Sequence, residues 1–276
     1  MANELSGTTA LVTGASSGIG QATALALAAS GATVALVARR HDRLVELAKR
    51  ISADGGSAIA IEADITDRAQ AEHAVERAVE ESGRLDILVN NAGMMHPGPM
   101  IEAPASEWDE MIAININGVL NVTRPALPHL VAAAAQPPRR VADLVNISST
   151  TGRVANPGTA VYSLTKFGVN AMSESLRREL LGDRVRVALV EPGRVNTEIA
   201  LHVREEVKER LAQTTPEIEP LHPEDIAEAV LYTVTRNRRV AVNEILVRAG
   251  DQTWQPTRPA GPVRCSGSAS EAGGVR

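Results

Sequence analysis

One cysteine, Cys265, stands in the 276-residue chain, close to its C-terminal end. A single thiol can build neither a disulfide framework nor a cysteine-ligated zinc site within one chain. Aromatic residues are nearly as scarce, with two Tyr, two Trp and one Phe. The core must therefore be assembled from Ala, Val, Leu and Ile, and stacking platforms for nucleic-acid bases lack the rings they need. No apolar run approaches the ~18 residues required to cross a bilayer. Residues 1–7 hold no basic region followed by an apolar stretch, so no signal peptide is read there and a cytoplasmic location is expected. The net charge of −5 argues against broad binding to phosphate backbones. The six histidines are His41, His73, His96, His129, His202 and His222. None is paired at His-x-x-x-His spacing and no carboxylate cluster accompanies them, so no metal is expected.

What is present is a regular alternation. Short β-branched runs at 9–13, 33–38, 57–62, 86–90, 141–148, 185–191 and 243–248 predict strands. Most are continuously apolar, the pattern of strands buried on both faces of a parallel sheet. Longer Ala-, Leu- and Glu-rich segments at 19–30, 42–53, 67–82, 106–135, 159–181, 199–213 and 223–235 predict helices between them. Pro223 followed by Glu224 and Asp225 is a strong helix start, with acids at the positive end of the dipole. Seven strands alternating with seven helices imply one α/β domain, a doubly wound parallel sheet with helices on both faces, over residues 1–254. The stretch 136–140 carries two prolines and two arginines and predicts an exposed turn. Residues 255–276, rich in Gly, Pro and Ser, are expected to form a disordered tail.

The first strand runs directly into Thr13-Gly14-Ala15-Ser16-Ser17-Gly18-Ile19-Gly20, which opens a helix. Gly14 permits a tight turn, Gly18 leaves room for a pyrophosphate against the backbone, and Gly20 lets the helix approach the sheet. The helix N-terminus would then aim N–H groups at the phosphates. A strand–turn–helix in this position predicts a dinucleotide site.

Tyr162 and Lys166 lie four residues apart early in a predicted helix, on one face. A phenol with a pKa of ~10 exchanges protons poorly at neutral pH. An ammonium ~4–5 Å away would favour phenolate by roughly 3–4 kcal/mol and bring Tyr162 toward the range of a general acid–base group. The other tyrosine, Tyr232, is followed by Arg236 and is expected to pack against the sheet.

Together these motifs resemble the short-chain dehydrogenase/reductase family, over about residues 5–253. Besides the glycine motif, Asp64 and Ile65 match the acidic segment that the family places against adenine. Asn90-Asn91-Ala92-Gly93 matches the motif after strand four. Asn115-Ile116-Asn117-Gly118 matches Asn-x-x-Gly, and Ser149 stands thirteen residues before Tyr162, as in the family. Pro192-Gly193-Arg194-Val195-Asn196-Thr197 matches Pro-Gly-x-x-x-Thr beside the nicotinamide. The resemblance implies a Rossmann-type fold and a catalytic set of Asn115, Ser149, Tyr162 and Lys166. Tyr162 would exchange the proton, Lys166 would tune it and hold ribose hydroxyls, Ser149 would bind the substrate oxygen, and Asn115 would hold a relay water. Cofactor contacts would come from Gly14, Ser16, Ser17, Gly18, Ile19, Gly20, Arg39, Arg40, Asp64, Ile65, Asn91, Ala92, Gly93, Tyr162, Lys166, Pro192, Gly193, Val195 and Thr197. Asn117 and Ser148 are expected to be structural.

Relatives using NAD carry an acid at the end of strand two; here Ala38 is followed by Arg39 and Arg40, which suits a 2′-phosphate and predicts NADP(H). The segment 242–248 with Asp251-Gln252 resembles the clavulanic acid dehydrogenase and 3-hydroxy acid (serine) dehydrogenase branch. The implied activity interconverts a small or medium secondary alcohol and its ketone; a non-catalytic dinucleotide-binding regulatory or scaffold protein is the alternative. Residues 194–219 would form a lid over the substrate, with Ile199, Val203, Val207 and Leu211 as one apolar helix stripe. Arg153 and Arg194 could meet a substrate carboxylate but read better as surface or pairing charges. His96 could line the pocket mouth. Relatives usually pair the helices at 106–135 and 159–181, which implies a homodimer or homotetramer.

Overall fold

The computed structural model describes residues 3–199, 203–214 and 218–252. The expected tail, Cys265 and His202 lie outside them. Seven strands form one parallel sheet: β1 (Thr9–Thr13), β2 (Thr33–Ala38), β3 (Ser57–Glu62), β4 (Ile87–Asn90), β5 (Ala142–Ile147), β6 (Val185–Pro192) and β7 (Glu244–Val247). Their order is β3-β2-β1-β4-β5-β6-β7. The direction of winding reverses between β1 and β4, so a crevice opens beyond the C-terminal ends of those two strands.

Helices α1 (Gly18–Ala29), α2 (His41–Ala53) and α3 (Arg68–Ser82) follow the first three strands. Asp67 starts α3 by accepting from the N–H groups of Ala69 and Gln70 at 2.9 and 3.1 Å. Beyond β4 come α4 (Ala105–Ile112), α5 (Val119–Ala134), α6 (Ala160–Glu179), α7 (Glu205–Thr214) and α8 (Pro223–Val234). Helix α8 opens as its sequence predicts, with Asp225 Oδ2 accepting from the His222 N–H at 2.7 Å.

Two aliphatic layers cover the sheet. Leu27, Leu44, Leu47, Ile51, Ile226 and Val230 bring α1, α2 and α8 onto one face. Ala74, Val75, Ala78, Val122, Ala126 and Leu130 bring α3 and α5 onto the other. The largest fully buried side chains are all Leu, Ile or Met. Tyr162 is the one buried aromatic among the described residues, an anomaly in a core otherwise built without rings. No described helix is long and apolar enough to cross a membrane.

Two helices depart from the sequence expectation. The segment 106–135 is not continuous: a π-helical turn, Ala113–Gly118, separates α4 from α5. Its apolar pattern runs through unbroken, but Asn115 is drawn inward to hydrogen bonds on Met94 and Thr165. Helix α7 starts six residues later than expected. Arg204, just before it, is held by Glu107 at 2.9 Å and Glu206 at 2.7 Å. The four-residue stripe fails accordingly: Val207 is buried, whereas Leu211 is exposed and Ile199 and Val203 are half-buried.

Candidate active site

The site is built from the turn after β1 outward. Gly14 has φ +65°, and a Cβ there would lie 2.9 Å from Ala92 Cα. A Cβ on Gly20 would stand 2.4 Å from Gly14 O, so α1 can start this close only with glycine. Thr13 Oγ1 accepts from the N–H groups of Asn91 and Ala92 at 3.0 and 3.1 Å, and Asn91 Nδ2 donates to Thr13 O at 2.8 Å. These bonds stitch the two loops of the crevice together. Ser17 stands at the N-terminus of α1 with extended backbone and no side-chain hydrogen bond to the helix N–H groups, and the first turn carries no acid. The first N–H groups of α1, including those of Gly18, Ile19 and Gly20, are therefore offered to an anion. This uncapped terminus is the local feature that fits a pyrophosphate.

The rim beyond β2 is basic. Arg39 is exposed and has no side-chain partner among the described residues. Arg40 instead lies across the turn, with Nε and Nη2 at 3.1 and 2.9 Å from Ser16 Oγ and Nη2 at 2.7 Å from Ser17 Oγ. Its Nη1 meets Glu198 at 2.8 Å. On the opposite rim, the Asp64 carboxylate accepts from the Thr66 N–H and hydroxyl at 2.9 and 2.8 Å, beside buried Ile65.

The reactive group sits at the C-terminal ends of β4 and β5. Ser149 Oγ accepts from the N–H and the hydroxyl of Thr151 at 3.1 and 2.9 Å. Its own hydrogen is thereby left free to donate, and Ser149 acts to lower the pKa of the Tyr162 phenol. Lys166 Nζ donates to Ile147 O at 2.9 Å and stands 5.7 Å from the Tyr162 ring centroid. The expected lowering of the phenol pKa does not hold in this state. Burial pushes Tyr162 up to about 12, against a smaller lowering by Ser149, and burial brings Lys166 down to about 8. Desolvation penalises both charged forms and is the largest cause of both shifts.

Asn115 Oδ1 accepts from the Met94 N–H at 2.9 Å, while Nδ2 donates to Met94 O at 2.8 Å and Thr165 Oγ1 at 3.2 Å. A Cβ on Gly93 would lie 3.3 Å from Asn115 Oδ1 and 3.8 Å from Lys166 Nζ, so these three converge. Asn117 is exposed on the helix surface. Ser148 Oγ donates to Asn170 at 2.6 Å, away from the phenol. At the end of β6, Pro192 and Gly193 enter a loop in which Val195 bridges to Leu221 and Arg194 N–H donates to Gln252 at 3.0 Å. Thr197 closes on the glycine turn, its Cγ2 lying 3.2 Å from where a Gly18 Cβ would be.

Several side chains resolve otherwise. Arg153 pairs with buried Glu191 at 2.5 Å and with Glu244, and Arg194 is exposed. His96 is nearly buried, 2.9 Å from Glu110, and lines a small cavity with Gly98, Trp108, Met111 and Val161. Tyr232 corrects the expectation that it packs against the sheet: it is 52 % exposed, with the Arg236 guanidinium 4.3 Å from its ring. Sequence reasoning missed Glu198, which sits within the lid segment, and Arg43, which it meets at 2.8 Å. No motif signals a pair 155 residues apart. Thr151, by contrast, carried a local signal in its Ser-x-Thr spacing after Ser149.

Comparison with known proteins agrees with this geometry. A family model described as short chain dehydrogenase matches residues 8–208. The glycine betaine reductase ATRR of Emericella nidulans is 40% identical over 249 residues, 90% of this chain but only 19% of that protein's length. An uncharacterized oxidoreductase of Listeria monocytogenes is 36% identical, over 88% of this chain and 97% of its own. The alcohol dehydrogenase from the archaeon Thermococcus sibiricus, complexed with 5-hydroxy-NADP, superposes with a TM-score of 0.79 at 28% identity, over 90% of this chain and 99% of its own. The fold and the family match define an oxidoreductase scaffold. The chain belongs to the short-chain dehydrogenase family.

Proposed function

We propose that the chain is an NADP(H)-dependent oxidoreductase that interconverts a small or medium secondary alcohol and its ketone, with Tyr162 as general acid and base. The observation that carries this reading is the placement of Tyr162, the one buried aromatic among the described residues, next to Ser149 and beside a buried lysine with no carboxylate partner among the described residues. A substrate oxygen placed against both hydroxyls would receive two hydrogen bonds. Ser149 can donate there because Thr151 fills its acceptor side, and such donation stabilises developing negative charge. Tyr162, kept neutral by burial, holds the proton that the oxygen takes up in the reducing direction. Lys166 would stabilise the phenolate left behind, and its remaining hydrogens would be available to the ribose hydroxyls of the cofactor. Both amide hydrogens of Asn115 are committed, which leaves its second Oδ1 lone pair for a relay water.

The dinucleotide would be held by the turn from Gly14 to Gly20, by Asp64, Ile65, Asn91, Ala92 and Gly93, and by Pro192, Gly193, Val195 and Thr197. When bound, it supplies the hydride and, once oxidised, a positive ring. The NADP(H) preference is supported by Arg39, exposed and without a side-chain partner among the described residues, following Ala38 where an acid would repel a phosphate. The segment 242–248 with Gln252 supports a place in the clavulanic acid or 3-hydroxy acid dehydrogenase branch. Exposed Leu120, Leu164 and Phe167 on α5 and α6 support assembly through those helices, which sedimentation would report.

The test is NADPH oxidation with a panel of ketones, repeated with Tyr162→Phe. Turnover in the native chain and its collapse in the variant, with nucleotide binding retained, is the expected result. Equal turnover in both removes Tyr162 from the reaction. Arg39→Asp is expected to lower the NADPH-to-NADH preference at least ~10-fold, the loss of one charge-assisted contact. An unchanged ratio would refute the assignment to NADP(H).

A further inference from the structure

Glu198 reaches from the segment after the Pro-Gly motif to the start of α2, across the mouth of the crevice. Its Oε2 lies 2.8 Å from Arg40 Nη1 and its Oε1 2.8 Å from Arg43 Nη1. The guanidinium of Arg40 thus serves Ser16, Ser17 and Glu198 at once, with all but one of its N–H groups directed. Thr197, packed on Gly18, fixes the backbone that delivers the carboxylate. A cavity of about 620 Å³ opens at this point, bounded by Ser16, Ser17, Gly18, Arg43, Thr197 and Glu198 among others.

A carboxylate and a phosphate monoester compete for the same planar fork. A second anion beside Glu198 would also be repelled by it. We propose that Glu198 is a specificity-determining residue, an internal oxyanion that occupies the Arg40 fork a 2′-phosphate needs and so weakens 2′-phosphorylated nucleotides relative to their unphosphorylated counterparts. This rests on the NADP(H) reading above. It assigns the two arginines after β2 different tasks: Arg39 is open to a phosphate from the start, and Arg40 becomes available only when Glu198 lets go. The ion pair with Arg43 keeps Glu198 in reach, because the carboxylate released by one guanidinium is still held by the other.

The experiment is calorimetric titration of the full chain, native and Glu198→Gln, with 2′,5′-ADP, 5′-AMP, NADPH and NADH. Glu198→Gln keeps the size of the side chain and removes its charge; Glu198→Ala serves as the second variant. Both variants are expected to bind 2′,5′-ADP and NADPH roughly fivefold more tightly, with 5′-AMP and NADH within about twofold of native. If the native chain prefers NADPH and neither variant gains on the 2′-phosphorylated ligands, the proposal is overturned and the NADP(H) reading stands. An equal gain on all four ligands also overturns it, because Glu198 would then be a general barrier to nucleotides. If the native chain prefers NADH and no form binds 2′,5′-ADP, the NADP(H) reading fails and takes the proposal with it.

Discussion

The two edges of the sheet bury ionisable groups in opposite ways. At the N-terminal edge, Asp86 is fully buried and accepts from Arg84 Nε and Nη2 at 2.8 and 2.7 Å and from the Thr9 N–H at 2.9 Å. Asp143, 1% exposed, accepts from Arg186 at 2.7 and 2.9 Å and from Arg139 at 2.6 Å. Arg186 spends its remaining hydrogens on carbonyls of the loop after α8, the shortest at 2.7 Å to Val240 O. At the C-terminal edge, Lys166 is equally enclosed but donates to one carbonyl, and no carboxylate among the described residues pairs with it. Glu191, buried close by, is paired with Arg153 and Asn170, so the charge of Lys166 is not balanced by it. Complete partnering turns a buried charge into structure. Incomplete partnering leaves its proton affinity displaced, which is the condition acid–base chemistry uses.

Breaking each edge should therefore fail in a different observable. Tyr162→Phe removes one hydroxyl and is expected to cost about 10²–10⁴-fold in turnover, with melting temperature and nucleotide affinity nearly unchanged. Asp143→Ala leaves two guanidinium groups facing a buried site with no counter-charge. A loss of about 3–5 kcal/mol in denaturant unfolding is expected, while turnover per folded molecule is preserved. The two edges would lose their distinction if Asp143→Ala abolished turnover without loss of stability, or if Tyr162→Phe unfolded the chain.

Much of this was legible from sequence because it rests on local pattern. The continuous apolar runs of β1 and β2 coincide with the strands observed, since burial on both faces leaves no room for polar alternation. The glycine turn and the shared helix face of Tyr162 and Lys166 could be proposed from sequence because close approach and four-residue spacing are local constraints, whereas Ser149 entered only through the family resemblance. The π-turn at Ala113–Gly118 was not, because the groups that draw Asn115 inward, the Met94 backbone and the Thr165 hydroxyl, come from distant parts of the chain. The pKa of Tyr162 was misjudged for a related reason. Spacing along a helix reports which charge is near, but not how far both groups are withdrawn from water. Glu198 illustrates the same limit, since its partners are set by how the loop after β6 folds over α2.

The smallest effect is also the most direct measure of that withdrawal. Lys166 has its pKa lowered to about 8 in the folded chain, against 10.5 when solvated. Below about pH 8 both states carry the proton, and the full cost of the buried charge is present. Between about pH 8 and 10.5 the unfolded chain binds the extra proton, so stability rises with pH, by at most about 1.4 kcal/mol per pH unit. Tyr162 acts oppositely and later: its pKa of about 12 against 10.0 makes the folded chain retain a proton above pH 10, where stability falls as pH rises. Lys166→Met keeps the length of the side chain and removes the charge. It is expected to be more stable than the native chain at pH 7–8, with an advantage that shrinks steadily up to pH 10. Asp143→Ala should show no such convergence over that range. Unfolding curves of native chain and Lys166→Met that stay parallel from pH 7 to 10 would mean the ammonium finds compensation in the folded chain, and the contrast between the two edges would then be one of geometry without a difference in proton affinity.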